Sequence, residues 1–167
     1  MAGSGFTLVE LMVTLAVLTI ILAIAVPGVG GFVSNQRVRS QADSMLASLA
    51  LARNESITQN LRVTLCPSGN GTSCTGTWSQ GWIVFRDGGT AGTVDVGDTV
   101  MRVFPGKKNV TVSMSGNFGS YLSFRPTGRS MGSGGATTGG TITVSGGSLT
   151  RTINVCSTGR IQAGGSC

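Results

Sequence analysis

Few residues in this chain could do chemistry. Its 167 residues include no histidine, which removes the commonest general base and the commonest imidazole ligand for zinc, copper or iron. The acids are Glu10, Asp43, Glu55, Asp87, Asp95 and Asp98, spread along the chain with little scope for a paired-carboxylate site. Ser113 follows Lys107 and Lys108, yet no base stands at a spacing that would activate it as a nucleophile. The reading is not an enzyme, with no cofactor and no metal.

The four cysteines carry the clearest chemical signal. Cys66, Cys74, Cys156 and Cys167 lack the short Cys-x-x-Cys knuckle of a metal site, and no histidine is available to complete one. An even count points to disulfides and an oxidising compartment. Three pairings are open; the local one, Cys66 with Cys74 and Cys156 with Cys167, is favoured because the second bond would pin a glycine-rich tail.

A second signal is positive charge. Lys and Arg number 12 against six acids, for a formal charge of +6, a field that attracts phosphate at long range. Arg160, Arg129, Lys107 and Lys108 are the candidate phosphate contacts, weighed against a plain solvated basic face. Arg160 lies between Cys156 and Cys167, and Arg129 sits in another Gly-Arg pair ahead of the glycine-rich stretch 132–140. Nothing here is shaped to read base edges, so contact would be sequence-independent. Trp78, Trp82 and Phe85 could stack on bases, but a Gly-Trp-Ile-Val-Phe strand is more simply core.

The elements that must position these residues fall into two kinds. Residues 11–36 carry no charge and are dominated by Leu, Ile, Val and Ala up to Pro27, long enough for the about 20 residues that cross a bilayer; a buried core helix is the other reading. From Val38 the residues Ala42, Met45, Leu46, Leu49 and Ala52 recur at helical spacing, so one rod is expected from Phe6 to about Gln59, roughly 80 Å long. Pro27 with Gly28, Gly30 and Gly31 predicts a bend or local melting. Beyond Leu61, seven short Val-, Ile-, Thr- and aromatic-rich runs at 61–66, 82–85, 99–104, 109–114, 121–124, 140–145 and 151–156 read as strands between glycine turns. Several alternate with period two, which suits sheets with one packed and one wet face. The class is α+β: a long N-terminal helix, half transmembrane and half amphipathic, packed on an antiparallel β-domain.

Gly5-Phe6-Thr7-Leu8-Val9-Glu10-Leu11, running directly into the apolar stretch, resembles the processing site and N-terminal helix of type IV pilins and the pseudopilins of type II secretion. The resemblance implies a leader 1–5, cleavage by a prepilin peptidase between Gly5 and Phe6, and methylation of Phe6. It implies that Glu10 meets a neighbouring subunit's terminal amine during assembly, since a carboxylate in apolar surroundings is costly unless paired. Met1–Ser4 contains no Lys or Arg, whereas leaders of the family are usually basic. The organisation expected is a transmembrane helix half at 6–33, an amphipathic half at 34–60 and a β-rich head at 61–167.

Further along, Cys66-Pro67, Cys74, Trp78, Gly81 to Phe85, Asp87, Phe124 to Gly128 and Gly159-Arg160 resemble minor pilins with the H-type pseudopilin domain, most closely the FimT minor pilins. That implies a minor pilin that primes or joins a pilus and binds double-stranded DNA in natural transformation, or alternatively a purely structural H-type pseudopilin of type II secretion. Its partners would be the peptidase, other major and minor pilin subunits, the inner-membrane assembly platform and the inner membrane itself. Its location would be a single pass in the bacterial inner membrane, head in the periplasm, and then the pilus or pseudopilus. DNA-binding relatives carry a second arginine two places after the Gly-Arg pair; Gln162 occupies that position here.

Overall fold

Thr7 opens the long helix. Its extended backbone and side-chain oxygen cap α1 (Leu8–Thr58), with the Glu10 N–H donating to Thr7 Oγ1 at 3.3 Å, one of the donors a helix start leaves without a partner. The far end closes on Asn60, whose φ of 53° reverses the chain, while the Leu61 N–H reaches back to the Ser56 carbonyl at 3.3 Å. This is a Schellman-type stop with asparagine in the place usually held by glycine. The structure is a computed structural model that describes residues 7–167, without the side chains of 24–29. The bend expected at Pro27 falls on those six and lies outside the described residues.

One expectation is corrected here. Among the described residues no helix is long and apolar enough to cross a membrane. The described apolar residues 11–23 are followed, past Gly30, Gly31, Phe32 and Val33, by the polar Ser34, Asn35, Gln36 and Arg37. The transmembrane half assigned to 6–33 is therefore withdrawn, and with it the single-pass inner-membrane localisation that rested on it. The fold is α+β, an N-terminal helix packed on antiparallel sheet.

The strands are β1 (Val63–Pro67), β2 (Gly81–Arg86), β3 (Thr99–Pro105), β4 (Thr111–Met114), β5 (Leu122–Phe124), β6 (Ser130–Met131), β7 (Gly140–Gly146), β8 (Leu149–Val155) and β9 (Ile161–Ala163). They form a five-stranded sheet in the order β3-β2-β1-β5-β6 and a four-stranded sheet in the order β4-β7-β8-β9. Helix α1 lays Val38, Ala42, Met45, Leu49 and Ala52 against both sheets, where they meet Val63, Leu65, Trp82, Val84 and Phe124 from the first and Val112, Ile142, Val144 and Ile153 from the second. Leu46 is only partly buried. The Trp82 ring stacks on Phe104 with centroids 5.7 Å apart, and its Nε1 donates to Ser48 Oγ at 3.0 Å, which satisfies two polar groups inside the helix–sheet core.

The sheets differ on their outer faces. On the first, Cys66, Ile83, Phe85, Tyr121 and Met131 form a second apolar cluster, roofed by Cys74 and by Ala91 and Val94 of the loop after β2. That loop is anchored by Asp87, whose carboxylate takes Arg62 Nη2 at 2.5 Å, Thr64 Oγ1 at 2.6 Å and the Gly92 N–H at 2.9 Å. On the second sheet the outer face stays wet, as the alternating burial along β7 records.

Candidate functional site

The tripeptide Thr-Gly-Arg occurs at 127–129 and again at 158–160, and the fold builds both copies into the same turn. Between β5 and β6 the Gly128 N–H donates to the Arg125 carbonyl at 2.7 Å and the Arg125 N–H to the Arg129 carbonyl at 3.0 Å. Between β8 and β9 the Gly159 N–H donates to the Cys156 carbonyl at 2.7 Å and the Cys156 N–H to the Arg160 carbonyl at 2.8 Å. The glycine φ values are +74° and +81°, a left-handed conformation that side-chain-bearing residues adopt only under strain.

These turns are pressed together. A methyl group on Gly159 would stand 1.8 Å from the Gly128 carbonyl oxygen, and one on Gly128 would stand 2.9 Å from Ile57 Cδ1. Arg53 of α1 fastens the junction, its Nε donating to the Gly128 carbonyl at 3.2 Å. Arg129 and Arg160 follow the touching glycines and both are exposed. Among the described residues the ion pair within 4 Å is Arg62 with Asp87, so neither turn arginine is neutralised by a carboxylate. Arg125 is engaged, donating through Nη2 to the Gly135 carbonyl at 2.7 Å.

Lys107 and Lys108 lie elsewhere. They sit between β3 and β4, beside Pro105, whose carbonyl accepts from Gln41 Nε2 at 3.4 Å. From Gln41 to Arg53 the helix rises about 18 Å, so the structure brings Arg129 and Arg160 together and leaves the lysine pair near the other end of the head. Trp78, Trp82 and Phe85 are buried, with Trp78 Nε1 donating to the Gly119 carbonyl at 2.9 Å; none offers a free ring face for stacking. Cys66 is bonded to Cys74 and Cys156 to Cys167, the second bond tying the chain end to the base of the Arg160 turn. Glu10 is exposed near the start of α1, and Gly5 and Phe6 lie outside the described residues. No group of three or more Cys, Asp or Glu suited to a metal occurs among the described residues.

Two features of this site are not among the sequence expectations: the hold of Arg53 on the Gly128 carbonyl and the contact between Gly128 and Gly159. The repeated Thr-Gly-Arg was the available signal. At the opposite end of the molecule, Leu8, Leu11, Met12, Leu15, Leu18, Ile20 and Leu22 are each at least half exposed, a contiguous apolar surface of the kind that marks an interaction site.

Comparison with protein families matches residues 41–159 to the type II transport protein GspH and residues 2–26 to the prokaryotic N-terminal methylation motif. The chain is similar in fold to the type IV minor pilin FimU of Pseudomonas aeruginosa strain PAO1 in two crystal forms. One gives a TM-score of 0.60 at 17% identity, covering 77% of this chain and 88% of the other. The second gives 0.57 at 18% identity, covering 75% and 90%. Comparison with curated proteins gives no match.

Proposed function

Because the chain belongs to the family of the type II transport protein GspH, within the type IV pilin and pseudopilin superfamily rather than specifically with FimT, we propose that it is a structural subunit of a pseudopilus or pilus. It is not an enzyme. The observation that carries the assembly role is the exposed apolar surface of α1 from Leu8 to Leu22, which is stabilised only when other apolar surfaces cover it. Packed against the helices of neighbouring subunits, it would form the filament's interior and leave the β-head outside. The purely structural H-type pseudopilin is the reading favoured by the family match.

The methylation-motif match over 2–26 supports cleavage between Gly5 and Phe6 by a prepilin peptidase, followed by methylation of Phe6. Glu10 would then present its carboxylate to the terminal amine of an adjacent subunit, other pilins and the assembly platform being the remaining partners. In the producing cell, Glu10→Ala should leave the processed chain present and remove it from the sheared filament fraction. Equal incorporation of the variant would overturn the assembly role given to Glu10.

A second reading, DNA binding, is favoured by the adjoining turns that present Arg129 and Arg160 without carboxylate partners. Contacts from this pair would be to phosphates. In gel-shift titrations of the full chain in detergent at several salt concentrations, Arg129→Gln with Arg160→Gln should flatten the log–log salt slope by about 1.8, the loss of two phosphate contacts. Lys107→Gln with Lys108→Gln should change it less. Binding that survives the arginine pair unchanged would sink this reading and leave the structural one intact.

A further inference from the structure

The wet face of the second sheet has an unusual composition. Strand register aligns Ser113, Thr143 and Thr152 in one row across β4, β7 and β8, and Thr111, Ser145 and Thr150 in the next. A third row runs across β7, β8 and β9 through Thr141, Asn154 and Gln162. Every one of these side chains ends in a hydroxyl or an amide. Residues 99–167 hold Arg102, Lys107, Lys108, Arg125, Arg129, Arg151 and Arg160, so about one charge would be expected among these positions by the usage of the surrounding sequence, and there are none. Arg151, on β8 itself, alternates with Thr150 and Thr152 and so belongs to the inward-facing set; it lines a hollow with Arg39 and Asp43 of α1 that Thr150 and Thr152 also border.

The hydroxyls are also unspent. Thr141 Oγ1 donates to Asn154 Oδ1 at 2.6 Å, and Asn154 Nδ2 donates to the Gly165 carbonyl. Among the described residues the hydroxyls of Thr111, Ser113, Thr143, Ser145, Thr150 and Thr152 have no protein partner. Where the third row ends, a hollow of about 670 Å³ opens beside Thr141 and Asn154, under the tail that Cys167 holds to Cys156. It is a shallow depression, open to solvent along one side.

The chemistry of this face rejects most partners. Nucleic acid needs cations to replace its counterions, and the face has none. A protein partner needs apolar or aromatic anchors at the centre, and a lipid surface needs apolar area; both are missing. An uncharged polymer that is itself dense in hydroxyl and amide groups is the complementary surface. Neighbouring strands stand about 4.8 Å apart, close to the length of one pyranose unit, so a glycan crossing the strands meets one row position per sugar.

We propose that the outer face of β4, β7, β8 and β9 binds a neutral glycan strand laid across the rows, with its end in the hollow beside Thr141 and Asn154. The test is retention of the full chain, in detergent, on chitin and on cellulose at low and high salt. Retention on at least one polymer, insensitive to salt, is expected. Thr152→Glu places an unpartnered carboxylate against the sugar and should lower retention about tenfold or more, and Ser113→Glu should act in the same direction; both positions are solvent-exposed, and unchanged thermal unfolding separates lost binding from lost fold. Arg129→Gln with Arg160→Gln should leave retention unchanged. No retention on either polymer overturns the proposal, as does retention that high salt abolishes or that both glutamate variants leave intact.

Discussion

The two sheets of the head share one helix and differ in what they do with their other side. Strands β1 and β2 read as unbroken buried runs, whereas β7 alternates. The first sheet is covered on its outer face by two pieces of irregular chain, the Cys66–Cys74 loop and the loop after Asp87; the second is left open to water. A strand's burial is therefore decided by what lies above it as well as by its own period. The covering loop is itself held by a buried carboxylate, so the first sheet's outer cluster depends on Asp87 and its donors in a way the second sheet's face depends on nothing.

That contrast can be broken most forcefully at Phe85, fully buried in the outer cluster. Phe85→Ala should cost about 3–5 kcal/mol in denaturant unfolding of the full chain; a loss under about 1 kcal/mol would mean the roof collapses onto the gap and the cluster is not a second core. Next comes Arg62→Ala. Asp87 is 0% exposed and Arg62 25%, and removing one partner of a fully buried pair costs about 3–5 kcal/mol. Because Thr64 Oγ1 and the Gly92 N–H still serve the carboxylate, about 2 kcal/mol is the expected loss. Hydrogen exchange should show it concentrated in 88–98.

The disulfides sharpen the comparison further. By chain entropy the two loops are nearly equivalent, about 2.5–3 kcal/mol each. Replacing Cys66 and Cys74 by Ala should loosen the roof and lower the global midpoint. Replacing Cys156 and Cys167 by Ser should raise exchange in Ile161–Ala163 with a smaller change in midpoint, since β9 is a three-residue edge strand. The smallest effect is expected at Thr143→Val on the open face, within about 0.5 kcal/mol, against the several expected at Phe85 under the roof of the first sheet.

Much of this architecture was legible. The helical recurrence of Val38, Ala42, Met45, Leu49 and Ala52 marked the buried stripe, and the β-rich runs located seven strands. β6 and β9 were missed because neither Ser130–Met131 nor Ile161–Ala163 makes a Val-, Ile-, Thr- or aromatic-rich run of the kind that marked β5. The one-wet-face expectation suits the second sheet and fails for the first, whose roof is held by Ala91 and Val94 in a loop of Gly, Thr and Asp with no pattern to read. The apolar run near the start invited a membrane span, but among the described residues no helix is long and apolar enough to cross a membrane. At the candidate site the arginines were visible as charges, but their grouping was not. The turns that carry Arg129 and Arg160 adjoin because two segments far apart in sequence touch at glycine, while Lys107 and Lys108, equally basic, are carried to another end by β3.

The closeness of Gly128 and Gly159 also bears on how this molecule can change over time. With the Gly128 carbonyl filling the space where position 159 would need a side chain, that position cannot take a bulkier residue unless the other turn moves, whereas a side chain at 128 would meet Ile57 of α1 instead. The dependence between the two Thr-Gly-Arg segments thus runs one way. A homologue that has lost the glycine at 159 should be found to have rebuilt the turn at 128, a covariation set by contact alone, whatever the arginines beside them bind.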